Sequence, residues 1–315
     1  MWYCSGVRRS QRILSLSPSI GSIEWPLFDL LVAVIDRLLP AGQVSHRSVN
    51  APPEEVPLWR DRLAASLISS KGEGLAEKTP EDRQLREDPS EADPLTELEF
   101  SERFIGELDF FAPDYARPGL AHHAWRVRTR NRSMNLTTIV EPEEMARKHA
   151  IDSLAARPLL AEGGEEIFRH VVDLGSGAGY PGLAIAIACP HLEVTLIDST
   201  RKKVRFLEEV VVELGLSSRV HCVWGRFEDW VRDHRKNVDL VMARAVGPVE
   251  KILQWCTHSW FGPLLLWKGP AVDKELEAVR GLLWKRHLFV ALDEVYQIPG
   301  DEVMRRLVLI DHRRQ

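Results

Sequence analysis

Val171-Val-Asp-Leu-Gly-Ser-Gly-Ala-Gly-Tyr-Pro-Gly182 decides how this chain folds. A short apolar run ends in an acid, passes through a glycine-dense turn and enters the apolar stretch Leu183 to Ala188. This is the pattern of a buried strand, a tight turn and a helix. Glycines there let backbone N–H groups approach a ligand with no Cβ between them. The helix N-terminus favours negative charge at the same place. Two glycine frames overlap. Gly177, Gly179 and Gly182 fit the dinucleotide spacing G-x-G-x-x-G. Gly175, Gly177 and Gly179 give G-x-G-x-G, preceded by Asp173 at the strand end. The second frame suits S-adenosylmethionine, whose amino-acid part sits against such a turn and whose ammonium an acid there can reach. Pro181 fits the first turn of a helix. A second strand, Glu193-Val-Thr-Leu-Ile-Asp198, also ends in an acid, placed to accept ribose hydroxyls. A ligand-free turn is the alternative, but it gives the two acids no task.

From Ile167 onward strands and helices alternate, which implies a parallel sheet with helices on both faces. Strands are expected near 169–174, 193–198, 220–224, 238–243, 263–268, 288–297 and 304–311. Helices are expected near 182–189, 201–215, 226–234, 248–260 and 272–284. Pro299-Gly300-Asp301 makes the last two strands an antiparallel edge hairpin. Seven strands with a terminal hairpin suit a methyltransferase sheet better than a six-stranded dinucleotide domain. The expected fold is therefore α/β: a Rossmann-like, seven-stranded methyltransferase sheet over 161–315 with a helical N-terminal cap over 95–160.

The 315 residues are 44% hydrophobic, enough for a sizeable core, and carry a net charge of −5. Residues 51–110 hold 16 acids against 7 lysines and arginines, so the rest of the chain is net positive. A mildly acidic whole excludes a general nucleic-acid coat and leaves a specific RNA substrate open. The four cysteines form no close pair, so neither a zinc site nor a disulfide framework is expected. No apolar run reaches membrane-spanning length. Residues 1–22 hold Arg8, Arg9, Arg12 and six serines with no acid, like an organelle transit segment. An overlong start or a disordered tail is the alternative, and residues 51–93 have linker composition.

From Pro94 the pattern is helical. Leu95, Leu98, Phe104, Ile105 and Leu108 share a face. A second helix covers Pro118 to about Arg130, and a third Glu141 to Leu160. Arg126, Arg128, Arg130 and Arg132 recur every second residue, which spreads them around a helix. They read as phosphate contacts or as a solvated face.

In such sheets the site lies outside the carboxyl ends of the strands. Phe227 is placed to lie against adenine, or to pack in the core. Glu228 is placed to read the adenine edge. Arg201-Lys-Lys-Val-Arg205 opposes the helix dipole, and so faces solvent or serves a polyanion. Arg244 and Lys268 each end an apolar strand where the cleft is expected. Buried cations need partners, so they serve a phosphate-bearing acceptor or structural salt bridges. No Asn-Pro-Pro-Tyr-like loop follows the fourth strand, and no cysteine is paired with a base. An acceptor that is already nucleophilic, such as guanine N7, needs neither, and its methylation rests on positioning and electrostatics.

Further motifs carry a resemblance. Met134-Asn-Leu-Thr137, Glu141-Pro-Glu-Glu-Met145 and Lys148-His-Ala-Ile-Asp-Ser-Leu154 resemble the helical entry of the bacterial 16S ribosomal RNA guanine-N7 methyltransferase family, the glucose-inhibited division protein B family. Asp173 to Gly182 is similar to its S-adenosylmethionine loop, and Leu196-Ile-Asp-Ser199 with Lys203-Val-Arg-Phe-Leu207 to its second strand and helix. Ala243-Arg-Ala-Val246 and Trp267-Lys-Gly269 are similar to its later motifs. The resemblance covers roughly residues 95–315. It implies methyl transfer to N7 of a guanosine in the 530 loop of 16S rRNA by a cytoplasmic monomer. Asp173, Gly175, Ser176, Gly177, Gly179, Tyr180, Asp198, Ser199, Phe227, Glu228 and Arg244 are then expected at the cofactor. Arg244 and Lys268 would position the RNA, and His149 and Asp152 would lie at the cap–sheet junction. Residues 1–94 exceed the family's usual length. Ala243 and Val246 stand where it often has serine and phenylalanine. The alternatives are a small-molecule methyltransferase and a noncatalytic RNA-binding assembly protein of the same fold.

Overall fold

The computed structural model describes residues 95–160, 168–234, 238–256 and 263–312. The chain divides into Met1–Asn50 and Ala51–Gln315, and every described residue belongs to the second unit. The expectations for residues 1–94 lie outside the described residues, as does the stretch from 257 to 260 of the helix expected from 248.

Thr96 starts α1 (Glu97–Gly106) with a reciprocal cap. Its hydroxyl accepts the Glu99 N–H, and the Glu99 carboxylate accepts the Thr96 N–H at 2.9 Å. Phe100 and Phe104, one turn apart, are fully buried. α2 (Arg117–Met134) has proline in its first turn and closes on Asn135 in the left-handed region, φ 49°. The third segment is not a uniform helix. α3 (Pro142–Met145) widens into a π-helical turn (Ala146–Ile151), which tightens into α4 (Asp152–Leu154). A separate turn, α5 (Arg157–Leu160), follows.

The strands are β1 (His170–Leu174), β2 (Glu193–Asp198), β3 (Val220–Trp224), β4 (Leu240–Arg244), β5 (Leu264–Lys268), β6 (Leu288–Gln297) and β7 (Met304–His312). Between them run α6 (Gly182–Ala188), α7 (Arg201–Glu213), α8 (Phe227–His234), α9 (Val249–Trp255) and α10 (Val272–Lys285). They form one sheet in the order β3-β2-β1-β4-β5-β7-β6. The first five strands are parallel, and β7 runs antiparallel to both β5 and β6. The hairpin thus inserts its second strand into the sheet and leaves its first at the edge. The reason is apolar continuity: Leu307 to Ile310 are all buried, whereas β6 alternates towards solvent.

Two cores sandwich the sheet. On one face Leu183 of α6 and Phe206 and Leu207 of α7 pack with Phe100, Leu120, Val127 and Met145 of the cap. On the other, Val172, Ile197 and Val241 meet Val231, Val249 and Leu253. The cap is therefore part of a core, not an appendage. Removing the Leu183 side chain should cost about 2–5 kcal/mol.

The arginines of α2 face partners within the protein. Arg126 pairs with Glu213 and Glu209, and Arg130 pairs with Glu209, tying the cap to α7. Arg128 donates to the Val140 carbonyl and lies 5.8 Å over the Phe100 ring. Acids on α7, far away in sequence, thus take Arg126 and Arg130, which read as either phosphate contacts or a solvated face.

Candidate functional site: a glycine-turn cavity

β1 and β4 are neighbours, while the chain leaving β1 crosses to β2. Two connections thus diverge at the carboxyl ends of these strands and open a crevice. The glycine turn fills its floor. Gly175, Gly177 and Gly179 have φ of 74°, 56° and 97°, which side-chain-bearing residues adopt only with strain. The turn is held from behind. Its Gly175 and Ser176 N–H groups donate to the Ile197 carbonyl.

A cavity of about 330 Å³ lies above the turn, lined by Gly175, Gly177, Asp198, Ser199, Thr200, Lys203, Gly225, Arg226, Phe227, Glu228, Ala245, Val246 and Trp255, with Leu174 and Ile197 at its base. The sequence-expected Gly175, Gly177, Asp198, Ser199, Phe227 and Glu228 therefore meet in one place. Asp198 accepts the Gly177 N–H at 3.0 Å on Oδ2 and the Thr200 N–H at 2.7 Å on Oδ1. Each oxygen keeps lone-pair capacity for a further donor. Phe227 is buried and forms a wall.

Asp173, Ser176, Gly179, Tyr180 and Arg244 are not among the lining residues. Asp173 is buried under the turn, where Oδ2 accepts the Gly182 N–H at 3.0 Å. A Cβ on Gly182 would stand 2.5 Å from the Asp173 Cβ, so the acid and the helix start are fitted to each other. Oδ1 of Asp173 is buried and has no donor among the described residues. Burial pushes this carboxyl up to about 7. Ser176 is buried and donates to the Asp173 carbonyl.

Tyr180 points into the cap. Its ring stacks between His123 and His149, at 4.6 and 4.9 Å. His123, on α2, lies 2.7 Å by Nε2 from the Ala178 carbonyl, so the cap braces the glycine turn directly. A Cβ on Gly179 would stand 2.7 Å from that same nitrogen. Burial pushes His123 down to about 4. Burial and then the Arg244 charge push His149 down to about 3. No sequence signal singles out His123, the second of two adjacent histidines in an arginine-rich helix.

Arg244 and Lys268 were expected to face RNA, but both are engaged within the protein. Arg244 Nε lies 3.0 Å from Asp152 Oδ2, and its other nitrogens donate to the Lys148 and His149 carbonyls and to Ser153. The π-helical turn supplies those carbonyls, and the His149 carbonyl also accepts the Ser153 hydroxyl at 2.6 Å. Asp152 is 2% exposed and also accepts the Tyr296 hydroxyl at 2.6 Å. His149 and Asp152 do lie at the cap–sheet junction. Lys268, 8% exposed, donates to the Gly247 carbonyl at 2.7 Å and to Glu275 at 2.8 Å. Between these two cations runs Ala245-Val-Gly247. Ala245 has φ 57°, a left-handed conformation for a residue with a Cβ. Val246 closes over the turn: a Cβ on Gly175 would stand 2.4 Å from its Cγ1.

Residues 119–292 match the family model GidB, rRNA small subunit methyltransferase G. The chain belongs to this family. It is an S-adenosylmethionine-dependent methyltransferase. Similar curated proteins include the ribosomal RNA small subunit methyltransferase G of Solibacter usitatus, 36% identical over 60% of this chain and 88% of that one. That of Symbiobacterium thermophilum is 38% identical over 61% and 80%. That of Synechococcus elongatus is 41% identical over 55% and 67%. Among solved structures, a methyltransferase from Geobacter sulfurreducens aligns at TM-score 0.42 and 20% identity, covering 67% of this chain and 96% of that one. The residues present fit the cofactor. Gly175 and Gly177 present bare backbone to the cavity, Asp198 retains acceptor capacity beside them, and Asp173 Oδ1 is a buried acceptor behind the turn.

Proposed function

We propose that this methyltransferase modifies N7 of a guanosine in the 530 loop of 16S rRNA. Family membership supports the small-subunit rRNA as substrate. The observation that carries the finer reading is the chemistry of the cavity mouth. Lys203 and Arg226 line it, and its acids are Asp198, already accepting two backbone N–H groups, and Glu228, which lies 3.9 Å from Arg226. This favours an anionic acceptor that needs no proton removed, and guanine N7 has a free lone pair. Bound in the cavity, S-adenosylmethionine supplies an activated methyl group, which such a lone pair accepts without releasing a proton.

The chain's residues hold the geometry. Asp198 takes the ribose hydroxyls, Phe227 and Glu228 the adenine, and Asp173 the ammonium. Arg244 and Lys268 are positioning residues: they fix Ala245-Val-Gly247 from both sides, and that loop meets the acceptor. Charge at the mouth excludes none of the phosphates that flank the target base. The family resemblance implies that the protein works as a cytoplasmic monomer on ribosomal RNA. No helix among the described residues is long and apolar enough to cross a membrane.

Incubation with labelled S-adenosylmethionine and, separately, 30S subunits, naked 16S rRNA and tRNA tests this reading. Label should enter the small-subunit RNA. Label in tRNA, or in a small molecule from extract with RNA untouched, would replace it.

A further inference from the structure

Trp224, 58% exposed, ends β3 beside the cavity. Exposing so large an apolar ring is unfavourable, yet this ring is held in place. Its Nε1–H donates to the Ser199 carbonyl at 3.1 Å, and the Arg201 guanidinium lies 5.0 Å from its centroid. Ser199 and the next residue, Gly225, both line the cavity, so the indole stands on its rim. In the first turns of α7, Arg201, Lys202, Lys203 and Arg205 form no ion pair among the described residues, whereas Arg126 and Arg130 of the cap are paired. An oriented aromatic face among unneutralised cations matches one chemistry: an unpaired base on a phosphate backbone.

We infer that Trp224 is a stacking platform for an unpaired nucleotide of the RNA next to the one being methylated, with Arg201, Lys202 and Arg205 taking its phosphates. This rests on the rRNA reading above and adds a specificity-determining surface to it. Charge complementarity and continuity with the cofactor cavity select single-stranded RNA over a protein partner. The platform would admit a loop and reject a fully paired helix, whose bases are stacked on one another.

Steady-state methylation of 30S subunits by wild type, Trp224→Ala and Trp224→Phe tests the inference, alongside S-adenosylmethionine affinity and melting. The alanine variant should raise KM for the RNA roughly tenfold, within the range of about 5- to 150-fold expected for a lost base stack. Its kcat, cofactor affinity and melting should stay at wild type, and phenylalanine should restore most of the KM. Arg201→Ala should lower the slope of log affinity against log salt by about one. An unchanged KM in Trp224→Ala would overturn the platform, and so would a KM change that tracks weakened cofactor binding. Failure of the wild-type protein to methylate 30S subunits would instead remove the rRNA reading itself.

Discussion

Arg244 at the end of β4 and Asp152 in the cap form a buried ion pair, Nε to Oδ2 at 3.0 Å, with side chains 14% and 2% exposed. The pair joins the sheet to α4 of the cap. Arg305 Nη1 lies 3.4 Å from the other Asp152 oxygen, and the Tyr296 hydroxyl donates to it as well. One carboxylate thus gathers β4, β6 and β7 under the cap.

Breaking this pair should destabilise the fold before it affects chemistry. Removing one partner of a buried pair costs about 3–5 kcal/mol. Asp152→Ala should therefore shift urea unfolding strongly. Arg244→Ala should do likewise and weaken cofactor binding with it, because the Ala245-Val-Gly247 loop loses an anchor. A normal unfolding midpoint in Arg244→Ala, with methylation lost and cofactor affinity intact, would show that the arginine works on RNA directly.

Two glycines of the turn should respond in opposite ways. A Cβ at Gly177 meets nothing closer than the Gly175 carbonyl at 3.8 Å, so Gly177→Ala carries mainly the left-handed backbone cost of about 1–2 kcal/mol. Its methyl group enters the cavity and should reduce cofactor affinity well beyond that. A Cβ at Gly182 collides with Asp173 at 2.5 Å, so Gly182→Ala should lower melting steeply. Calorimetric titration and thermal melts on the two variants separate these outcomes.

Cofactor affinity should depend on pH through Asp173. Its carboxyl, raised by burial to about 7, is ionised above that pH and neutral below it. An ammonium partner needs the ionised form. Affinity should therefore hold above pH 7 and fall towards tenfold per unit below it. Asp173→Asn should bind weakly with a flat profile. A flat wild-type profile between about pH 6 and 8, about one unit either side of that pKa, would detach Asp173 from the ligand.

Stability should show the opposite acid limb from the cap histidines. His123 and His149 are held neutral in the fold, with pKa values pushed down to about 4 and about 3. The unfolded chain protonates them near the ordinary 6.5, so it binds more protons in between. Their contribution is complete above about pH 6.5 and is lost as pH falls through that value towards 4. Asp173 works the other way, since its raised pKa favours the fold at low pH and loses that contribution as pH rises towards 7. Two buried histidines against one buried acid make these three groups favour the fold less as pH falls from 6.5 towards 4. Unfolding at pH 5 and 6 reads this directly, and His149→Gln should flatten it.

Strands and glycine turn were legible because they depend on local pattern. Asp198, Gly175, Gly177, Ser199, Phe227 and Glu228 sit at strand or turn ends that the alternation fixes, and they converge as expected. What escaped depends on partners far away in sequence. Nothing near Arg244 announces Asp152, and nothing near Arg126 announces Glu213. Tyr180 reads as part of the cofactor motif, yet two cap histidines claim its ring. Helical periodicity does not announce the π-helical turn over Ala146–Ile151 either, whose Lys148 and His149 carbonyls accept Arg244 from β4.

The central claim is methylation at guanine N7, and mapping the modified atom tests it most directly. N7-methylguanosine carries a positive charge on its imidazole ring, so borohydride reduction followed by aniline cleaves the chain there. After treatment of 30S subunits with this protein and S-adenosylmethionine, primer extension should show one new stop, within the 530 loop. A methylated 16S rRNA that resists this cleavage, or cleaves elsewhere, would contradict the account.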